Sequence, residues 1–529
     1  MMRAGFFIRK INGSRLLWEV QRRARSIAPA IERCDMKDVD SESQHVRSFE
    51  DIPGPKKLPL IGNIFRFLPY IGEYAEENLV NQLLMLRDEF GDVVKLEGLP
   101  GRLPGVFIFD PELCQTMQRL EGTWPVRIAM ECLHHYRVNR PDIYGDQVGL
   151  ATGQGKSWQD FRTKVNQHMM QPRVVRSYVT QINDMTVEFM EKMRVLRNPD
   201  TLELPGDYIN ELCKWSLEAI GIIALDCRLG CLKPDLAADS EPQIMINSVH
   251  DMFDLMYCLE IKPSLWKLYN TRKLKKFFRT MDTINGIVIK HIELAKKKFS
   301  EQANSGQTEE RSVLQKLLLI HEKTAVIMAA DMFTAGIDTT GNTAGGLLYN
   351  IANNPEKQEI LRKEVMSFLP DKSSPITPEI LEQTKYTKAC IKESLRTFPI
   401  AVGSLRTTQT DLVLGGYQIP KGIGVVACYS VTALEPAHYP RPQEFIPERW
   451  LRGNTEFPSA KKAHPFSYMP FGFGSRTCIG RRFAEMELET LLMTVIRHFR
   501  LEWHYEPMKN KSKYINTVGA PLRLKIIDL

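Results

Sequence analysis

The run Phe471-Gly472-Phe473-Gly474-Ser475-Arg476-Thr477-Cys478-Ile479-Gly480 sets one cysteine on a glycine-lined loop just before an amphipathic helix that starts near Arg481. Such a loop can hold a thiolate against a metal. Gly472, Gly474 and Gly480 let the backbone approach a flat ligand, Arg476 can neutralise an acidic group, and the helix lends N–H groups and its dipole to the sulfur. A haem iron fits each of these parts. A zinc ion asks instead for about three or four Cys or His ligands at short spacing, and the nearest ones, His464 and Cys428, do not form that pattern. An isolated cysteine is most often a buried structural thiol; here the surrounding ten residues decide for the ligand.

A second chemical stretch lies upstream. Residues 324–350 have the periodicity of one helix roughly 40 Å long, yet its centre, Ala335-Gly336-Ile337-Asp338-Thr339-Thr340-Gly341, breaks helix preferences at a cost of about 3 kcal/mol against alanine. Thr339 and Thr340 can hydrogen-bond back to carbonyls four residues earlier, which predicts a loosened, bulged helix with room for dioxygen over the iron. Asp338 and Thr339 supply an acid and a hydroxyl side by side, as a proton relay requires. Trp158 and Arg162 stand at i and i+4 on one helix face. Glu393 and Arg396 share a face at i and i+3, and Arg449 in Phe445-Ile446-Pro447-Glu448-Arg449-Trp450 can complete a buried charge triad with them.

The cysteine loop matches the signature Phe-x-x-Gly-x-Arg-x-Cys-x-Gly, and the chain in this respect resembles the cytochrome P450 enzymes. Ala-Gly-x-Asp-Thr-Thr resembles their oxygen-activation motif, and the Glu393, Arg396 and Arg449 motifs resemble the pair that locks their fold around haem. The resemblance implies haem b with Cys478 as iron ligand, Asp338 and Thr339 as catalytic residues, and Trp158, Arg162, Arg406, His464, Phe471 and Arg476 as haem-binding positions. A thiolate axial ligand pushes electron density to iron and favours O–O cleavage. The resemblance runs from about Phe49 to the C-terminus. Lys-x-x-x-Lys-Glu at Lys388 and Cys-x-Gly-Arg-Arg-Phe-Ala-Glu-x-Glu at Cys478 look like the mitochondrial branch. Phe67-Leu68-Pro69-Tyr70-Ile71-Gly72-Glu73-Tyr74 and Val165-Asn166-Gln167-His168-Met169-Met170-Gln171-Pro172 look like insect mitochondrial members of the lineage associated with foreign compounds.

The elements that must position these residues read as a mainly α fold with a minor β part, a single large haem-containing domain over residues 52–529. A hairpin is expected from strands at 92–96 and 106–109, and short strands at 412–418 and 424–427 around the Pro420-Lys421-Gly422 turn. Long helical stretches are expected at about 158–194, 206–226, 243–258, 275–300, 313–350 and 355–368. Residues 1–34 carry eight basic residues against two acids, +6 of the whole chain's +7, with interspersed apolar residues. This reads as a mitochondrial transit peptide, followed by a polar spacer at 35–51. The rest is near neutral, which argues against nucleic acid as a partner. Ten cysteines without a C-x-x-C pair imply a reducing compartment. No stretch reaches the roughly 18 apolar residues of a membrane span.

No glycine-rich dinucleotide fingerprint is present, so neither a bound flavin nor a nicotinamide is expected and electrons must come from another protein. Lys385, Lys388, Lys392, Arg481 and Arg482 form a basic face; in the resembled mitochondrial branch such lysines dock an acidic [2Fe–2S] ferredoxin. The expected activity is insertion of one atom of O₂ into an apolar small molecule, a plant toxin or insecticide, on the matrix side of the inner membrane, with peripheral contact through residues 256–269. The rivals are an ecdysteroid hydroxylase and, from another class, a haem-thiolate isomerase or a haem sensor. The loops near 120–135 and 255–275 carry no readable substrate code.

Overall fold

Valine-rich strands β1 (Val93–Leu96) and β2 (Gly105–Ile108) pair antiparallel, Val93 opposite Ile108, as the hairpin pattern predicts. In the computed structural model, which describes residues 46–529 except 59–61, 68–71, 75–77, 99–102, 234–235, 305–310 and 520, the hairpin belongs to a four-stranded sheet. The expected leader at 1–34 and residues 35–45 of the expected spacer lie outside the described residues. β3 (Ser404–Thr407) pairs antiparallel with β6 (Gly424–Ala427), and β6 runs parallel to β2, so the order is β1-β2-β6-β3. Between them, the strand expected at 412–418 is split by Gly415-Gly416 into a small hairpin of its own, β4 (Leu412–Leu414) and β5 (Tyr417–Ile419).

Two further two-stranded sheets lie near the C-terminus, helices dominate the remainder, and seven of them build the site: α1 (Gly155–Met169), α2 (Ile209–Leu225), α3 (Glu241–Met256), α4 (Arg272–Asn304), α5 (Glu322–Ala352), α6 (Tyr386–Thr397) and α7 (Arg481–His498). The helix expected at 158–194 is three helices. Pro172 has no N–H to continue the ladder and instead starts the short helix Pro172–Arg176, after which Val179–Leu196 begins. The helix expected at 313–350 is two, because His321 is fully extended (φ −174°) and its ring accepts a hydrogen bond from the Lys323 N–H as a cap. The stretch 355–368 forms as expected.

α5 spans about 46 Å at 1.5 Å per residue and is buried at every position from Gly341 to Leu348. It stays α-helical throughout its 31 residues, so the bulge expected at Thr339-Thr340 is not realised as a change of helix type. Packing accounts for the glycines. A Cβ on Gly341 would lie 2.9 Å from Cys213 Sγ on α2, and one on Gly336 would lie 2.7 Å from Ile220 Cδ1. The propensity cost is offset by close approach of α2, whose residues Leu212–Leu225 are all buried.

Candidate active site

α5, α1, β3 and the loop before α7 line a cavity of about 3610 Å³ that opens to the surface. Sites for one small ligand are about 300–1,000 Å³, so this space takes a large flat group and a second molecule beside it. Cys478 lies on its wall. The loop is closed by the Cys478 N–H donating to Phe471 C=O (2.9 Å), and Gly472 and Gly474 take φ of 73° and 72°, a region natural only to glycine. Cys478 is enclosed by protein yet open to the cavity, whereas the other described cysteines are buried or half-buried and all nine are free thiols. Burial pushes the Cys478 thiol up; the backbone N–H groups of Gly480 and Arg481 and the charges of Arg162 and Arg481 pull it back toward thiolate.

Beside the thiol stands a surplus of positive charge. Arg162 donates to Thr477 C=O (2.8 Å), and Arg476 donates to Pro125 C=O, Gly153 C=O and Gln154 Oε1, each at 2.9 Å. Arg127 donates to Ala151 C=O (2.9 Å). Arg406 pairs with Glu121 and donates to Ser404 Oγ (2.9 Å). Among the described residues Glu121 is the only carboxylate paired with these four arginines. Burial, and then the neighbouring Arg127 and Arg406, push the Arg476 guanidinium down to about 8; since arginine keeps its proton in proteins, the shift reads as an unmet demand for an anion. Arg476 also stacks 3.7 Å from the ring centre of Trp158. Trp158 Nε1 and Arg476 Nη1 are buried donors with no acceptor among the described residues. A thiol, two orphaned donors and a cationic wall around a wide slot fit a flat dianion such as haem, with its two propionates.

Residues 52–525 match the family described as Cytochrome P450. The chain belongs to that family. Its members are haem-thiolate monooxygenases whose haem is protoporphyrin IX. This P450 is 38% identical over 497 residues to "Probable cytochrome P450 12b2, mitochondrial" of Drosophila melanogaster, covering 92% of this chain and 91% of that protein. It is 39% identical to "Cytochrome P450 CYP12A2" of Musca domestica, with 92% and 93% covered. The crystal structure of the cytochrome P450DA heme domain superposes with a TM-score of 0.70 at 19% identity, covering 90% of this chain and 97% of that one, which shows the shared fold.

Of the expected site residues in this P450, Trp158, Arg162, Thr339, Arg406, Phe471, Arg476 and Cys478 meet on the cavity wall. Thr339 Oγ1 donates back to Ala335 C=O (2.6 Å) while its side chain borders the cavity. Asp338 does not join it. One position along the helix is a turn of about 100°, and Asp338 is instead buried between α2 and α3, its Oδ1 2.9 Å from His250 Nε2 and 3.9 Å from Cys213 Sγ. His464 also lies off the cavity wall: it caps the short helix Pro465–Ser467, its Nδ1 accepting from the Phe466 N–H (3.2 Å).

The charge triad forms as expected. Glu393 accepts from Arg396 Nε and Nη2 (3.0 and 2.8 Å) and from Arg449 Nε (3.0 Å), with all three side chains fully buried, and also from Trp450 Nε1 (2.9 Å) and the Ile446 N–H (3.0 Å). On the expected docking face, Lys385, Lys392, Arg481 and Arg482 are exposed. Lys388 is half-buried and turned inward, donating to the Leu381 and Glu382 carbonyls. Sequence reading passed over Arg127, Gln154, Glu121 and His250. Arg127 follows Trp124-Pro125, a stiff aromatic entry to a cavity loop, which was its one local signal; the others have none.

Proposed function

We propose that this P450 is a mitochondrial monooxygenase that inserts one oxygen atom from O₂ into an apolar small molecule of foreign origin, with electrons passed from NADPH through a ferredoxin reductase and a [2Fe–2S] ferredoxin. The observation that carries the reading is the Cys478 thiol, open to a large apolar cavity and flanked by the arginine cluster. Haem, when bound, supplies the iron at which dioxygen is activated.

The protein's own groups divide the remaining work. Cys478 Sγ is the iron ligand, its charge stabilised by the Gly480 and Arg481 N–H groups. Trp158 Nε1, Arg162, Arg406 and Arg476, with Arg127 added, hold the propionates. Thr339 presents a hydroxyl to the cavity, while Asp338 on the far side of α5 pairs with half-exposed His250. The packed face of α5 keeps bulk water out. Lys385, Lys392, Arg481 and Arg482 form the ferredoxin surface, the basic leader at 1–34 directs import, and exposed Leu265, Leu268 and Tyr269 make a peripheral contact with the matrix face of the inner membrane. Within the stretch first expected to provide that contact, Met256, Tyr257, Leu259 and Trp266 are buried. Among the described residues no helix is long and apolar enough to cross a membrane.

The test is reconstitution of the processed protein with ferredoxin, its reductase, NADPH and O₂ against a panel of plant toxins and insecticides and a panel of ecdysteroid precursors. Oxygenated products from the first panel are expected. Conversion of ecdysteroid precursors alone would overturn the assignment to foreign compounds, and no NADPH-dependent product from either panel would favour a sensor.

A further inference from the structure

α3 does not end as an ordinary helix. Its last turn widens into a π-helical turn, Tyr257–Ile261, a geometry that recurs at functional sites because it re-aims side chains. The turn brings Glu260 to the wall of the cavity, at the end lined by Phe253, Tyr257, His135, Trp266 and Tyr514. The Glu260 carboxylate is held from three sides. Oε1 accepts from the Cys132 N–H and Sγ, both at 2.9 Å, and Oε2 accepts from the Tyr514 hydroxyl at 3.2 Å.

All three donors are neutral, and among the described residues no cation pairs with Glu260. The lysines of this part of the wall are engaged elsewhere: Lys513 with Asp254 at 2.8 Å, Lys267 with Glu131 at 2.5 Å, and Lys262 over the Tyr257 ring at 5.2 Å. Burial pushes the Glu260 carboxyl up, and the nearby Glu131 pushes it further, while the Cys132 N–H and thiol pull it down. A carboxylate has about four acceptor positions, and three are filled, which leaves one on Oε2.

We propose that Glu260 is the anchor for a protonated basic nitrogen, so that the preferred substrates are lipophilic amines rather than neutral hydrocarbons or sterols. This deepens the reading given above and rests on it. A substrate ammonium takes the open position on Oε2 in a charge-assisted hydrogen bond, and the surrounding rings of Trp266, Tyr257 and Phe253 present π faces to its N-alkyl groups. The helix Glu131–Val138, whose second residue donates its N–H to Glu260, keeps the carboxylate from turning out of the cavity. The apolar remainder of the substrate then lies along the Ile220, Met328 and Met332 wall toward Cys478.

The test uses the haem-loaded enzyme and a matched pair of probes, N,N-diisopropyl-phenethylamine, too hindered to ligate iron, and its carbon counterpart with CH in place of nitrogen. Dissociation constants are read from the low-to-high-spin shift. The wild type is expected to bind the amine about tenfold or more tightly than the isostere, Glu260→Gln to lose about tenfold in that ratio, and Glu260→Asp to keep part of it. Equal affinities in the wild type overturn the anchor whatever the variants do, as does a ratio unchanged in Glu260→Gln. Isostere binding without amine preference sinks the anchor alone; absence of binding by both probes sinks the apolar-cavity reading with it.

Discussion

Nε2 of His250 lies 2.9 Å from Oδ1 of Asp338, on the side of α5 turned away from the cavity that Thr339 borders. Desolvation lowers the affinity of His250 for its proton, but the hydrogen bond and charge of Asp338, helped by Asp254 and Asp251 on α3, win and raise it above the ordinary histidine value of 6.5. Cys213 on α2 is the third group at this junction. A raised folded-state value means that the pair's stabilisation is complete below the unfolded value and is lost as pH rises through the folded one. The Tm advantage of wild type over His250→Gln should therefore be largest below about pH 6.5 and shrink above it. A constant difference from about pH 5.5 to 8.5 would rule the linkage out.

Trp158→Phe keeps an aromatic face against Arg476 and removes the orphaned Nε1 donor together with part of the buried indole. A hydrogen bond to a charged group contributes about 1.5–3 kcal/mol, so haem should leave the variant roughly tenfold faster or more. Transfer to apomyoglobin measures that rate, and an unchanged rate would remove Trp158 from the propionate contacts.

Breaking the Glu393 triad leaves two buried guanidiniums, Arg396 and Arg449, without their anion. Glu393→Gln is expected to lower stability by about 3–5 kcal/mol, seen as a drop in thermal midpoint with loss of haem during purification. Exposed pairs of the same i and i+3 spacing serve as the control: Glu191→Gln, facing Arg194, should cost at most about 1 kcal/mol.

Charge reversal on the exposed basic face, Lys392→Glu with Arg482→Glu, should raise the KM for ferredoxin by about tenfold and leave kcat near wild type, because complementary charge acts mainly on association. The effect should fade as salt rises. Lys388→Glu is a different test, since that side chain already serves the Leu381 and Glu382 carbonyls; its reversal should reduce stability as well as docking.

Local spacing made much of the site legible. Cys478 with its glycines, Trp158 with Arg162, and Glu393 with Arg396 all sit within a turn or a loop of each other, so type and interval were enough. The hairpin at β1 and β2 and the helix over 355–368 were legible for the same reason. What failed was long-range. Asp338 and Thr339 are adjacent in the chain and point about 100° apart around the helix, and only the placement of α2 and α3 tells which one meets the cavity. Glu121 gains its meaning from Arg406, 285 positions away, and Arg127 from Ala151 across a loop and from the distant arginines it stands beside. The break at Pro172 was visible in the residue type and was overridden by the apolar period on either side, while the glycines of α5 looked like weakness until Cys213 and Ile220 were seen to occupy the space a side chain would need.

β2 lies beside β6 in parallel, Gly105 against Gly424, with most of the polypeptide between them. Until β6 is in place, the β2 edge of the first hairpin stays uncovered. Contacts this distant in sequence form slowly, and an open edge invites pairing with the wrong molecule. The wall that carries Arg406 is therefore among the last parts to close, and chaperone supply is the expected limit on the yield of correctly assembled enzyme.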